Sequence, residues 1–267
     1  MGTTCMGILG KNSGTAATEA TPSTRLPWWI AEVVSTRDET PRARTLALNV
    51  EGWPGHLAGQ HVDVRLTAAD GYQAQRSYSI ASAPQSAKLE LLVERIPDGE
   101  VSPYLTEVVR PGDRFELRGP IGGYFVWAAD RGGPLFLIGA GSGIAPLAAM
   151  LAYRYEAAAG LPTRLLYSAR TEEDIIFRSQ LNAWVEKDPA LAVTVTLTRT
   201  APSAWRGYQR RIDLEMLREA AFPPTQTPLA YVCGPTSMVE KAADHLVSLG
   251  YPPARIFTER FGPSGEP

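Results

Sequence analysis

The stretch Leu135–Met150, LFLIGAGSGIAPLAAM, decides how this chain is read. Its apolar opening, Leu135 to Ile138, predicts a buried strand. Gly139, Gly141 and Gly143 follow, then Pro146, then a helical run from about Leu147. A strand that breaks into a glycine turn and opens a helix aims backbone N–H groups and the positive end of the helix dipole at one point, which suits an anion. Glycine lets a phosphate approach the backbone, and proline in the first turn gives up a donor the helix does not use. The competing reading is a sharp strand–helix turn with no ligand. The spacing departs from the dehydrogenase fingerprint G-x-G-x-x-G, which needs glycine where Ile144 stands, and no acidic ribose ligand follows at the usual distance. The second strand, Thr163–Tyr167, runs instead into Ser168-Ala169-Arg170. These features predict a nucleotide site of another lineage.

Working outward, the C-terminal half alternates strands with helices. Strands are expected at 135–138, 163–167, 192–198, 229–232 and 255–258, and helices at 144–158, 175–186, 213–220 and 236–248. That order predicts a doubly wound parallel sheet covered on both faces. Upstream, residues 28–128 read as β, with strands at 29–36, 44–50, 61–66, 73–81, 89–96 and 113–117 and one short helix at 102–109. Short alternating strands with Gly, Pro and Asp between them predict a closed antiparallel barrel of six strands. Asp130–Pro134 is the natural boundary. The expected organisation is a disordered tail at 1–24, poor in apolar groups, a barrel at 25–129 and an α/β section at 130–267.

Composition narrows the function classes. The chain has 267 residues, 44% hydrophobic, and a formal net charge of −2. That length supports two cores, and the near-neutral charge argues against nucleic acid as the main partner. Its two cysteines, Cys5 and Cys233, make neither a disulfide framework nor an iron–sulfur cluster. His56, His61 and His245 lack metal-ligand spacing, so no metal is expected. No apolar run reaches membrane-spanning length, the start lacks a signal-peptide pattern, and Met6 stands where a myristoylation motif wants a hydroxyl. A cytoplasmic protein without membrane contact is the expectation.

Arg76-Ser77-Tyr78-Ser79-Ile80-Ala81-Ser82-Ala83-Pro84 is the second anchor. It places a cation, a flat aromatic ring and hydroxyls near the end of an expected strand. Arginine pairs with a pyrophosphate, tyrosine lies against a planar ring, and a hydroxyl bonds a ring nitrogen. Strict alternation sends Tyr78 and Ser79 to opposite faces, so a shared site needs a bulge or a strand end there. The competing reading is an ordinary polar strand.

Together these motifs resemble the ferredoxin–NADP reductase superfamily, over about residues 28–262. R-x-Y-S is matched by Arg76, Tyr78 and Ser79. A Gly and Ser/Thr before a short helix are matched by Gly99 and Ser102. G-P-x-G is matched by Gly119, Pro120 and Gly122, with Phe125 after it. The glycine turn ending in proline is matched by Gly139–Pro146, and C-G-P by Cys233, Gly234 and Pro235. Reductase components of bacterial oxygenases look most alike, sharing Tyr167–Arg170 and Glu259-Arg260-Phe261-Gly262. Some of those carry an iron–sulfur domain; this chain has no such cysteine cluster, which leaves the electron acceptor open.

The resemblance implies FAD on the barrel and NADPH, or NADH, on the α/β section. It implies that Arg76 neutralises flavin phosphate, Tyr78 stacks on the flavin with Ile80 beside it, and Ser79 hydrogen-bonds near flavin N5. Gly99 and Ser102 would receive pyrophosphate, and Gly141, Ser142, Gly143, Pro146 and Ser168 would belong to the nucleotide site. Cys233, with Gly234 and Pro235, would lie near the nicotinamide. No His or base is recognisably paired with that thiol, so nothing suggests a covalent intermediate. Phe261 would pack over the flavin and Glu259 would approach its edge. The 2′-phosphate of NADP calls for arginine, and Arg170, Arg199 and Arg211 are the candidates; Glu172 and Glu173 near Arg170 favour NADH instead. The acidic run Thr171–Asp174 itself reads as a helix N-terminus. The implied function is a flavin-dependent NAD(P)H oxidoreductase passing electrons to a ferredoxin or another redox protein. The alternatives are a free-flavin reductase and a redox-binding module without turnover.

Overall fold

The structure, a computed structural model, describes residues 26–262. The tail expected to be disordered, with Cys5, lies outside the described residues. Six strands make the first sheet: β1 Trp28–Thr40, β2 Ala43–Val50, β3 His61–Thr67, β4 Gln73–Ser79, β5 Leu89–Glu94 and β6 Arg114–Ile121. Their order is β4-β3-β6-β1-β2-β5, and every pairing is antiparallel. A bridge between Ile80 and Leu91 joins the two edges and closes the barrel. The alternation expected in the sequence is what fills it: Leu46, Leu48, Val62, Val64, Leu91 and Leu117 all lie within the barrel core. A single wide π-helical turn, Tyr104–Val108, stands in for the expected helix at 102–109.

The second sheet has strands β7 Leu135–Ala140, β8 Thr163–Ala169, β9 Leu191–Leu197, β10 Leu229–Pro235 and β11 Ile256–Phe261. All pair in parallel, in the order β11-β10-β7-β8-β9. Helices α1 Ile144–Ala157, α2 Arg178–Lys187, α3 Leu214–Ala220 and α4 Thr236–Ser248 cover it. Two cores result, one on each face of the sheet. The chain order starts in the middle of this sheet and winds both ways, which leaves the ligand-binding crevice of such sheets at the C-terminal strand ends.

Two expectations need correction. Helix α2 begins at Arg178 rather than 175, because Ile175, Ile176 and Phe177 are buried under the sheet and Phe177 takes a left-handed backbone, φ 58°. The acidic run does not open that helix. Glu172–Asp174 is its own short turn, and Asp174 pairs with Arg42 of the barrel at 2.9 Å.

The barrel and the sheet pack against each other. Ala58, Phe125 and Trp127 join the core that holds α1. Arg131 donates to the Tyr231 hydroxyl at 2.8 Å, and that hydroxyl donates to the Val126 carbonyl at 2.8 Å. Among the described residues no helix is long and apolar enough to cross a membrane.

Candidate functional site

Where the barrel meets the C-terminal ends of β7, β8 and β10, a cleft of about 1080 Å³ opens. Its barrel wall carries Arg76, Tyr78 and Ser79 from β4 and the loop from Ile96 to Ser102. Strand β4 ends at Ser79, which removes the alternation problem: Tyr78 and Ser79 both line the cleft. Ile80 does not; its side chain is fully buried in the barrel core.

The polar groups of this wall are unevenly satisfied. Ser79 Oγ is buried with no hydrogen-bond partner, a state that costs roughly 1–3 kcal/mol unless a ligand supplies one. Burial raises the Tyr78 phenol well above its ordinary range, with the Arg76 charge opposing, so it presents a neutral ring. Arg76 pairs with Glu100 at 2.7 Å, both half exposed. Ser102 Oγ accepts the Ile96 N–H at 3.0 Å, which folds the loop carrying Gly99 back on itself.

The sheet wall is built on the glycine turn. Gly141 sits at φ +55°, and a Cβ on Gly143 would stand 2.3 Å from the Cys233 carbonyl oxygen. Glycine at 143 is therefore a packing need between α1 and β10. Neither Gly143 nor Pro146 lines the cleft; Gly141 and Ser142 do. The turn already holds an anion, because the Ser142 N–H donates to Glu94 Oε2 of β5 at 3.1 Å. Ser168, Arg170, Arg211, Lys241, Pro235 and Phe261 complete the wall. Arg199 lies outside it, tied to this rim by its backbone N–H on the Arg170 carbonyl at 2.9 Å. Among the described residues Arg170, Arg211 and Lys241 have no carboxylate within ion-pair distance, whereas Arg42 and Arg76 do.

Behind this wall the register sets a row of side chains. Cys233 pairs with Gly139 on one side and Glu259 on the other. Cys233 is wholly buried, and neither it nor Gly234 nor Glu259 lines the cleft. The sequence shows no base recognisably paired with this thiol; in the fold Cys233 Sγ lies 3.9 Å from Glu259 Oε2. Burial pushes the thiol up, reinforced by the Glu259 charge, so it is a neutral S–H. Burial likewise raises the Glu259 carboxyl to about 7, with the Cys233 contact opposing. His61, one of the three histidines without metal-ligand spacing, stands 3.8 Å from Glu259 Oε1. Its sequence position gave no sign of this, because the partner belongs to the other sheet.

The donor set fits a flavin on one wall and a nicotinamide nucleotide on the other. An unpartnered buried hydroxyl and a neutral aromatic ring face the cleft from the barrel; unpaired cations and a glycine turn face it from the sheet. Among the described residues no group of acidic, His and Cys side chains gathers to hold a metal.

Comparison with known proteins agrees with this division. Residues 32–126 match the family described as oxidoreductase FAD-binding domain, and residues 137–244 match the oxidoreductase NAD-binding domain. Ferredoxin–NADP reductase B of Sorangium cellulosum is 33% identical over 241 residues, covering 86% of this chain and 96% of that protein. The electron transfer component of toluate 1,2-dioxygenase from Pseudomonas putida is 28% identical over 78% of this chain, and the match spans 59% of that longer protein. The FAD/NAD-binding domain of nitric oxide dioxygenase from Vibrio cholerae shares the fold, with a TM-score of 0.79 at 24% identity over 88% of this chain and 99% of that one. The chain belongs to the ferredoxin–NADP reductase superfamily.

Proposed function

We propose that the protein is an FAD-dependent NAD(P)H oxidoreductase that hands electrons to a ferredoxin-type protein. When bound, FAD would supply the redox chemistry, hydride uptake from the nicotinamide and electron release to the acceptor. The protein's own work is placement. Tyr78 gives the flavin ring a flat apolar support, Ser79 gives it the hydrogen bond that its buried hydroxyl lacks, and Arg76 exchanges Glu100 for a phosphate. Both partners of that ion pair are half exposed, so the exchange costs little. On the facing wall the glycine turn and Ser168 receive the nucleotide, with Cys233 and Glu259 behind it. Phe261 lines the same cleft, and its ring is the piece expected to give way as the nicotinamide enters.

One observation carries this reading: a single cleft is lined from both sheets, by the R-x-Y-S strand end on one side and the glycine turn on the other. The experiment is reconstitution of the 267-residue chain with FAD, followed by steady-state oxidation of NADPH and NADH with an artificial one-electron acceptor. Tight flavin binding and turnover support the proposal; absence of both removes it.

The nucleotide preference is a finer part of the same proposal. Arg170 and Arg211 line the rim without carboxylate partners, which suits the 2′-phosphate of NADPH. Arg211→Ala is expected to weaken NADPH about tenfold and leave NADH nearly unchanged. Equal losses for both would remove Arg211 from that role. Arg199→Ala, whose side chain lies off the cleft, is the matching control.

A further inference from the structure

The turn between β1 and β2 reaches across the seam to the α/β section. β1 pairs with β6 only over Trp28–Glu32, and from Ser35 to Thr40 its partner is β2. The hairpin closes on Pro41 and Arg42. Arg42 is held on both sides of its backbone: its N–H donates to Thr40 Oγ1 at 3.2 Å, and its carbonyl accepts the Arg95 N–H at 2.7 Å. Its side chain crosses to the other sheet, where Nη2 donates to Asp174 Oδ1 at 2.9 Å. The second oxygen, Oδ2, accepts the Thr171 hydroxyl at 2.9 Å. Thr171 directly follows Arg170, whose carbonyl accepts the Arg199 N–H at 2.9 Å.

Asp174 is the acidic group that bears on this rim. Of the run Glu172-Glu173-Asp174 only Asp174 lines the cleft, together with Arg42, Arg170 and Arg211. Glu172 is taken by Arg178, and Glu173 is exposed. The Asp174 side chain keeps 19% of its exposure, so water screens its charge only in part. Burial works against ionisation, but the Thr171 hydroxyl and the Arg42 guanidinium outweigh it and hold the carboxyl below its usual range. The rim therefore carries a carboxylate at neutral pH. Among the described residues Arg42 is the one cation within ion-pair distance of it. A carboxylate beyond the end of such a strand suits ribose hydroxyls, whereas a 2′-phosphate in the same place is repelled. Pairing with Arg42 cancels the repulsion and leaves the carboxylate where it is.

We propose that Arg42 is a specificity-determining residue supplied by the barrel: by cancelling the Asp174 charge it leaves Arg170 and Arg211 to select a nucleotide that carries a 2′-phosphate. The inference rests on the nucleotide preference proposed above and adds to it a residue from the opposite sheet. Arg42 acts through Asp174, so nucleotide choice depends on how the barrel docks on the sheet.

The test reads binding and needs no turnover. The 267-residue chain, saturated with FAD, is titrated calorimetrically with 2′,5′-ADP and with 5′-ADP. Arg42→Ala leaves the carboxylate uncancelled; 2′,5′-ADP is expected to weaken about fivefold while 5′-ADP changes by less than about twofold. Asp174→Asn acts in the opposite direction. It leaves Arg42 unpaired at the rim, and 2′,5′-ADP is expected to tighten about threefold. Arg42→Lys keeps the charge and is expected to behave nearly as wild type. The double variant Arg42→Ala/Asp174→Asn removes both charges and is expected to restore wild-type selectivity. High salt is expected to shrink every difference. An ion pair that only holds the fold together gives losses of the same sign in both single variants and with both ligands. That pattern, or selectivity unmoved by Arg42→Ala, overturns the proposal. Wild-type protein that binds the two ligands equally defeats the NADPH preference itself; selectivity present in wild type and unchanged in the variants defeats only the role of Arg42.

Discussion

The two walls of the cleft keep their polar groups in opposite states. On the barrel side the Ser79 hydroxyl is buried and unpartnered. On the sheet side the Ser142 N–H is already bonded, to a Glu94 carboxylate supplied by the barrel. A ligand on the first wall adds a hydrogen bond where none exists; a ligand on the second has to exchange one that the protein makes with itself. That difference suits a cofactor held through many turnovers on one side and a nucleotide that comes and goes on the other.

The harshest way to break the comparison is to damage the wall that depends on close backbone contact. Gly143→Ala pushes a methyl group to within 2.3 Å of the Cys233 carbonyl oxygen. Backbone on both sides cannot yield cheaply, so a loss of about 3 kcal/mol is expected, read as a lower urea midpoint. The barrel wall responds in the opposite sense. Ser79→Ala removes a buried, unpaired hydroxyl, so the flavin-free protein is expected to be as stable as wild type or slightly more so. The same change is expected to slow flavin reduction at least tenfold, about 1.4 kcal/mol. Loss of stability without loss of rate would make Ser79 a structural residue.

The pH dependence of folding sharpens the contrast behind the sheet wall. Glu259 titrates at about 7 in the fold against an ordinary 4.5. A raised carboxyl binds its proton more tightly in the folded state. Its stabilising contribution is therefore complete below about pH 4.5 and is lost as pH rises through about 7. Glu259→Gln is expected to abolish that decline, a difference on the order of 2 kcal/mol between the two ends of the window. Parallel Tm–pH curves for the two proteins would show that Glu259 ionises as it does in water.

The smallest effect concerns the internal anion. Glu94→Gln keeps the shape and removes the charge that sits at the start of α1. With that competitor neutral, nucleotide affinity is expected to rise a few-fold, about 1 kcal/mol. Weaker binding would mean that Glu94 contacts the ligand directly.

What the sequence made legible follows from range. Alternation at Val62 and Val64 and the strand–turn–helix at Leu135–Met150 are local signals, and both sheets follow from signals of that kind. The expected start of α2 was displaced because Ile175-Ile176-Phe177 carries an apolar pattern that a helix or a buried turn satisfies equally well. The left-handed backbone at Phe177 leaves no mark in residue type. Contacts across the seam were invisible for a different reason. Glu94 and Ser142 are 48 residues apart, and Arg42 and Asp174 are 132 apart. No periodicity links such pairs, since they meet only when the barrel docks on the sheet. His61 belongs to the same class: its neighbour Glu259 is a residue of the other sheet.

Anaerobic mixing of the FAD-loaded protein with excess NADPH, then NADH, tests most directly whether two ring systems meet in one cleft. The predicted result is complete loss of oxidised flavin absorbance within a single turnover, faster with NADPH, and slowed by Ser79→Ala. Flavin that stays bound and stays oxidised with both nucleotides would contradict it.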